Sequence, residues 1–204
     1  MLFYSTIYPE TLQLLKDIQQ IDQLNSFVLV GGTALALQIG HRISIDLDLF
    51  STENTTISPI PDLIDHLGDI RIINQTSKIL NLFINEIKVD FIAYKYPLLF
   101  PTVQIESLNL ASIQDIAAMK LAAITGRGSK KDFIDLYFLL DKFTLAELFK
   151  LYSSKFPDGN EFLVYKSLIY FEDADIEPMP NMITPINWNE VKNKIILEVR
   201  NYFP

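Results

Sequence analysis

The sequence predicts an α+β fold, with short strands gathered in the first half and helices filling the second. Three observations predict it. Apolar runs at 27–30, 43–50, 70–73, 79–84 and 87–94 are short and bounded by turn residues. The last of them, IKVDFIAY, alternates Val89, Phe91 and Ala93 against Asp90, Ile92 and Tyr94. Beyond Pro97 and Pro101 one extended stretch remains, at 103–110, and helical periodicity then runs to the end. The expected division is a core over 1–105 and a helical region packed on it over 106–204.

Composition narrows the class. The chain has 204 residues, 49% hydrophobic and 21% charged, enough to bury a full core. Cysteine is absent, which excludes disulfides, thiolate zinc sites and cysteine nucleophiles. His41 and His66 are the only histidines, too few for a histidine-rich metal site. The formal charge of −8 argues against a broad nucleic-acid coat but leaves room for a local basic patch. No apolar run approaches the roughly 18 residues of a membrane span. The opening MLFYSTIYPE has no basic leader pattern. The expectation is a soluble, cytoplasmic protein.

Pro9–Leu24 reads as a helix, with Pro9 and Glu10 in its first turn and an apolar stripe through Leu15, Ile18 and Ile21. Phe27–Val30 fits a buried strand. Thr33–Ile39 fits a short helix stopped by Gly40. Ile43–Phe50 is the second strand, and 51–58 a polar loop. Pro59-Ile60-Pro61 leads into a helix ending near Gly68. Asn85-Glu86 joins two strands as a hairpin turn. Ser112-Ile-Gln-Asp115 starts a helix whose IAAMKLAAI run is apolar all round, with Lys120 its one charge. Helices are also expected near 133–140, 144–154, 160–170 and 188–202. The acidic, proline-rich FEDADIEPMPNMITPIN reads as a surface loop.

Chemistry concentrates in LVGGTALALQIGHRISIDLDLF, residues 29–50. Asp46 and Asp48, two apart on a strand, share a face, while Leu47 and Leu49 turn to the core. Two such carboxylates can reach a shared metal ion. Gly31 and Gly32 leave the backbone open ahead of a helix whose free N–H groups suit a phosphate. Asp90 is a carboxylate in an otherwise apolar strand, so it either faces water at an edge or is a third metal ligand. Lys120 either snorkels to the surface or meets an anion, a phosphate or the metal carboxylates. Arg127, Lys130 and Lys131 form the best phosphate-reaching cluster. Asp132 and Asp135 share a helix face. They either cap the helix and pair with Lys131 or Arg127, hold Lys120, or act as a base.

The hydrophobic-Gly-Gly-Thr turn followed by Asp-x-Asp resembles the signature of the DNA polymerase β-like nucleotidyltransferases. With INEIKVDFIAY and ASIQDIAAMKLAAITGRGSKKDFIDLYFLL, the chain resembles the AbiEii/AbiGii-type toxin nucleotidyltransferases over most of its length. The resemblance implies a nucleotidyltransferase core with a mixed sheet and a helical C-terminal region, in a bacterial toxin–antitoxin pair. It implies transfer of a nucleoside monophosphate from a nucleoside triphosphate, with release of pyrophosphate, to an acceptor such as tRNA. A protein side chain as acceptor, or a non-catalytic binding module of the same fold, are the rival readings. By motif, Gly31, Gly32 and Thr33 would meet the triphosphate, with Lys120 and Arg127 offsetting its charge. Asp46, Asp48 and Asp90 would bind Mg²⁺ or Mn²⁺. Either Asp132 or Asp135 would match the acidic residue of the following motif. A cognate antitoxin is the implied protein partner.

Overall fold

A mixed sheet of seven strands organises the first half of the chain, in the order β3-β4-β5-β2-β1-β7-β6. The computed structural model describes residues 1–53 and 55–202. Two compact units divide it, Met1–Ser112 and Ile113–Pro204. The fold is α+β.

In the first unit, α1 (Pro9–Gln19) is followed by β1 (Val28–Leu29), α2 (Gly31–Ile39), β2 (Leu47–Ser51) and α3 (Ile60–Ile64). Strands β3 (Ile70–Gln75), β4 (Ile79–Ile84) and β5 (Ile87–Ala93) make a meander. Strands β6 (Val103–Ile105) and β7 (Leu108–Leu110) form a hairpin that joins the sheet where β7 runs parallel to β1. This pairing keeps 103–110 with the sheet, and the division falls at 112/113. Asn85 and Glu86 have φ of 48° and 66°, the left-handed pair that a tight hairpin turn demands. Gly40, at φ 77°, ends α2 as expected.

Several elements are shorter than the sequence predicts. The helix from Pro9 stops at Gln19, and 22–24 form a separate 3₁₀ turn. α3 spans only Ile60–Ile64, with a 3₁₀ turn over Asp65–Leu67 before Gly68. The strand expected from Ile43 begins at Leu47. The backbone before it is engaged elsewhere: Ser44 N–H donates to Thr6 O, and Asp46 O accepts the Thr33 hydroxyl. The polar loop at 51–58 includes Asn54, which lies outside the described residues.

The second unit holds α4 (Ile113–Gly126), α5 (Lys130–Leu139), α6 (Leu145–Lys155), α7 (Glu161–Leu168), α8 (Glu172–Asp175) and α9 (Trp188–Tyr202). α4 is buried as its composition predicts. The stretch read as a surface loop contains α8, anchored because Phe171 packs on Phe133 and Trp188 at ring distances of 4.9 and 5.9 Å. No helix among the described residues is long and apolar enough to cross a membrane.

Candidate active site

Strands β2 and β5 run parallel and adjacent, with Asp48 directly opposite Asp90. Leu47 faces Val89 and Leu49 faces Phe91, all fully buried. Since side chains alternate along a strand, one face of this pair goes to the core and Asp48 and Asp90 share the other. Asp46 stands just before β2 and is partly exposed. The structure thus brings the three predicted carboxylates to one patch of the sheet.

Adjacent carboxylates repel unless a positive charge lies among them. Lys88 supplies it. It sits two residues before Asp90 on the same strand face, and its ammonium donates to Asp90 Oδ2 at 2.7 Å. The other Asp90 oxygen, Oδ1, accepts from Asn81 on β4 at 2.8 Å. Burial on its own would lower the Lys88 pKa. The bond to Asp90 and the charges of Asp90, Asp46 and Asp48 outweigh it, and the pKa is raised.

The glycine turn packs directly on this patch. Gly31 has φ 69°, and a Cβ there would come within 2.3 Å of Asp48 Oδ2. Only glycine satisfies both the backbone and the carboxylate. Thr33 is buried, its hydroxyl 2.5 Å from Asp46 O and 2.8 Å from Ser44 Oγ. Its single proton goes to the carbonyl, so the Ser44 hydroxyl supplies the other hydrogen bond. The side chain thus ties the start of α2 to the segment bearing Asp46. A Cβ on Gly32 would lie 2.4 Å from Arg42 Nη2. Arg42 is buried, and its Nη1 donates to Ile43 O at 3.1 Å. A guanidinium therefore lies against the first turn of α2.

Does this patch suit a divalent cation? Its donors are carboxylate oxygens alone, the set that hard ions such as Mg²⁺ and Mn²⁺ take. Lys88 already shows that a cation is favoured among them. Among the described residues, no three acidic or histidine side chains converge as a finished metal cage. Nitrogen donors hold both oxygens of Asp90.

The helical unit carries its own ionic cluster. Lys120 is buried, and its ammonium lies 2.9 Å from Asp132 Oδ1 and 2.6 Å from Asp135 Oδ2. Arg127 grips Asp132 with two bonds, Nε to Oδ2 at 2.8 Å and Nη2 to Oδ1 at 3.0 Å. The Ser129 hydroxyl donates to Asp132 Oδ2 at 2.7 Å. Burial would raise the Asp132 pKa. The Lys120 charge, Arg127 and Ser129 outweigh it and hold the carboxyl well below the usual range. Of the anions weighed for Lys120, the aspartate pair meets it here. Of the readings left open for that pair, holding Lys120 and pairing with Arg127 both occur.

A family model described as "Nucleotidyl transferase AbiEii toxin, Type IV TA system" matches residues 13–202. The chain belongs to the AbiEii nucleotidyl transferase toxin family. It is 37% identical over 205 residues to protein aq_aa25 of Aquifex aeolicus (strain VF5), covering 95% of this chain and 96% of that one. Two solved structures share the fold of this AbiEii-family chain. JHP933 from Helicobacter pylori is 20% identical, with a TM-score of 0.56 over 96% of this chain and 92% of that one. MenT4, a nucleotidyltransferase toxin from Mycobacterium tuberculosis H37Rv, is 16% identical, with a TM-score of 0.56 over 95% and 86%.

For an AbiEii nucleotidyl transferase, the sequence reading passed over three side chains near the sheet carboxylates. Lys88 is recoverable from period two, because it stands on Asp90's face. Arg42 is the one lysine or arginine between Gly31 and Asp48. Asn81 becomes visible only when the hairpin register pairs it with Asp90.

Proposed function

We propose that this AbiEii-family nucleotidyltransferase is a divalent-cation-dependent toxin. It moves a nucleoside monophosphate from a nucleoside triphosphate to the acceptor end of tRNA and releases pyrophosphate. The observation that carries the reading is the facing pair Asp48 and Asp90, with Asp46 beside them and the Gly31 backbone against Asp48.

Asp46, Asp48 and Asp90 are the groups that would hold Mg²⁺ or Mn²⁺. Bound there, the cation supplies Lewis-acid stabilisation of charge on the reacting phosphoryl oxygens. The backbone N–H groups of Gly32 and Thr33, at the start of α2, face the triphosphate, and the helix dipole favours its charge. Asp90 accepts the proton of the acceptor hydroxyl as that oxygen bonds to the α-phosphorus and the bond to the pyrophosphate oxygen breaks. In the helical unit, Asp132 and Asp135 hold the buried Lys120, and Arg127 grips Asp132 from a more exposed position. A cognate antitoxin is the proposed protein partner, following from the type IV toxin–antitoxin family.

The test is incubation with each α-³²P-labelled NTP, Mg²⁺ and total tRNA, with Asp46→Asn alongside. Label on RNA, absent in the variant, is the expected result. Label on a protein would replace tRNA with a protein acceptor, which the −8 charge would also suit. Full activity in Asp46→Asn would sink the metal site.

A further inference from the structure

We infer that Lys88 is the resident occupant of the carboxylate patch, a tethered ammonium that a divalent cation must displace to reach Asp90. The inference rests on the metal reading above and adds an exchange step to it.

Geometry carries the argument. Asp90 has two oxygens; Asn81 bonds one at 2.8 Å and Lys88 the other at 2.7 Å. A hard cation ligated by Asp90 needs one of them. Asn81 is a neutral donor on the neighbouring strand. Lys88 is a full positive charge among three carboxylates, which is what an arriving cation would be. The two charges compete for the same field, so binding of one favours release of the other.

The lysine is built to leave. Its side chain is 39% exposed, and such a pair is screened and weak. A cavity of about 410 Å³ opens beside it, lined by Lys88, Asp46, Tyr8, Ile45 and Phe83 among others, with room for the released side chain. Lys120 has no comparable freedom, being 4% exposed and gripped by two aspartates. While it stays, Lys88 offsets negative charge at Asp90 and eases repulsion between the strands. When it leaves, it frees an Asp90 oxygen in the same event.

The experiment is Mn²⁺ binding to the full chain, followed by electron paramagnetic resonance, with melting temperature recorded in parallel. The proteins are wild type, Lys88→Met, Lys88→Gln, Lys88→Arg, Asp48→Asn and Lys78→Met. The last removes a lysine at the turn before β4, with the same change in net charge. Lys88→Met and Lys88→Gln should bind Mn²⁺ about fivefold tighter than wild type, the size expected for a partly exposed pair. Lys88→Arg should restore the wild-type affinity, and Lys78→Met should leave it unchanged. Without metal, Lys88→Met should melt lower than wild type, and Mn²⁺ should raise its melting temperature by the larger increment. If Lys88→Met folds poorly, Lys88→Gln decides. Wild-type binding that Asp48→Asn abolishes, with no tightening in either Lys88 variant, overturns the exchange and leaves the metal reading standing. Equal tightening in Lys78→Met overturns it too, since net charge would then suffice. No Mn²⁺ binding in wild type or in the Lys88 variants overturns both.

Discussion

The two units each solve the problem of crowded carboxylates, and they solve it differently. On the sheet, Lys88 bonds Asp90 and feels the charges of Asp46 and Asp48 as well. In the helices, Asp132 and Asp135 are met by Lys120 and Arg127, and the charges cancel. The sheet lysine is 39% exposed and the helical one 4%. A buried, balanced cluster is stable as it stands and strongly disrupted by the loss of one member. A more exposed pair such as Lys88 and Asp90 can exchange partners. The contrast separates the patch proposed to take a cation from a buried cluster whose charged groups hold one another.

The largest expected effect lies at the far end of this scale, in Asp115 and Lys155. Their side chains are both 0% exposed and lie 2.8 Å apart. Asp115→Ala leaves an ammonium buried without its carboxylate. It should destabilise the chain by about 3–5 kcal/mol in urea unfolding. The double change Asp115→Leu with Lys155→Met should recover most of that. Lack of recovery would show that this pair does more than neutralise itself.

Asp48→Asn should do the reverse. The carboxylate is partly exposed, so folding stability should stay within about 1 kcal/mol of wild type. Nucleotidyl transfer should fall on the order of 100-fold or more, because a charge-stabilising group is lost at the reacting phosphate. Single-turnover transfer and a melting curve on the same sample test both halves. A large stability loss with modest loss of transfer would make the two clusters alike and break the contrast.

Much of the sheet cluster was legible in advance, because local period decides it. Asp46 and Asp48 alternate with Leu47 and Leu49, and Asp90 interrupts an apolar alternation. The register that sets Asp48 opposite Asp90 was not legible, since parallel pairing of β2 with β5 joins segments about forty residues apart with other strands between. Lys88 had no assigned role until that pairing put three carboxylates around it. In the helices, the i, i+3 spacing of Asp132 and Asp135 was visible, and so was the oddity of Lys120 in an apolar run. Asp115 was read as a capping residue. Its partner, Lys155, is forty positions away, and nothing local links them. The acidic tract at 171–187 hid α8 because composition reports polarity and misses the aromatic anchor at Phe171.

Acid should touch the helical cluster through Asp132. Its carboxyl is held well below the usual range in the folded state, and ordinary carboxyls titrate near pH 4. A group depressed on folding contributes stability in full above its unfolded pKa. That contribution is lost as pH falls from about 4 toward the folded value. Urea midpoints between pH 7 and pH 3 should therefore stay level down to about pH 4.5 on this account and fall below it. The fall should be shallower in Asp132→Asn. An unchanged slope in the variant would mean that other carboxylates dominate acid unfolding.

Arg127 gives the smallest effect and the sharpest test of exposure as the ordering variable. It makes two good bonds to Asp132, yet its side chain is 60% exposed. Water screens that attraction, and Lys120 and Ser129 still satisfy the carboxylate after Arg127 is removed. Arg127→Ala should therefore destabilise by no more than about 1 kcal/mol at low salt, and by less in 1 M NaCl. Lys120→Met removes the buried partner of two aspartates and should cost several times more, with little dependence on salt. If the two substitutions prove equal, geometry of the bonds outweighs burial in this cluster. The ease with which Lys88 is displaced would then have to be judged by its 2.7 Å bond to Asp90 instead of by its exposure.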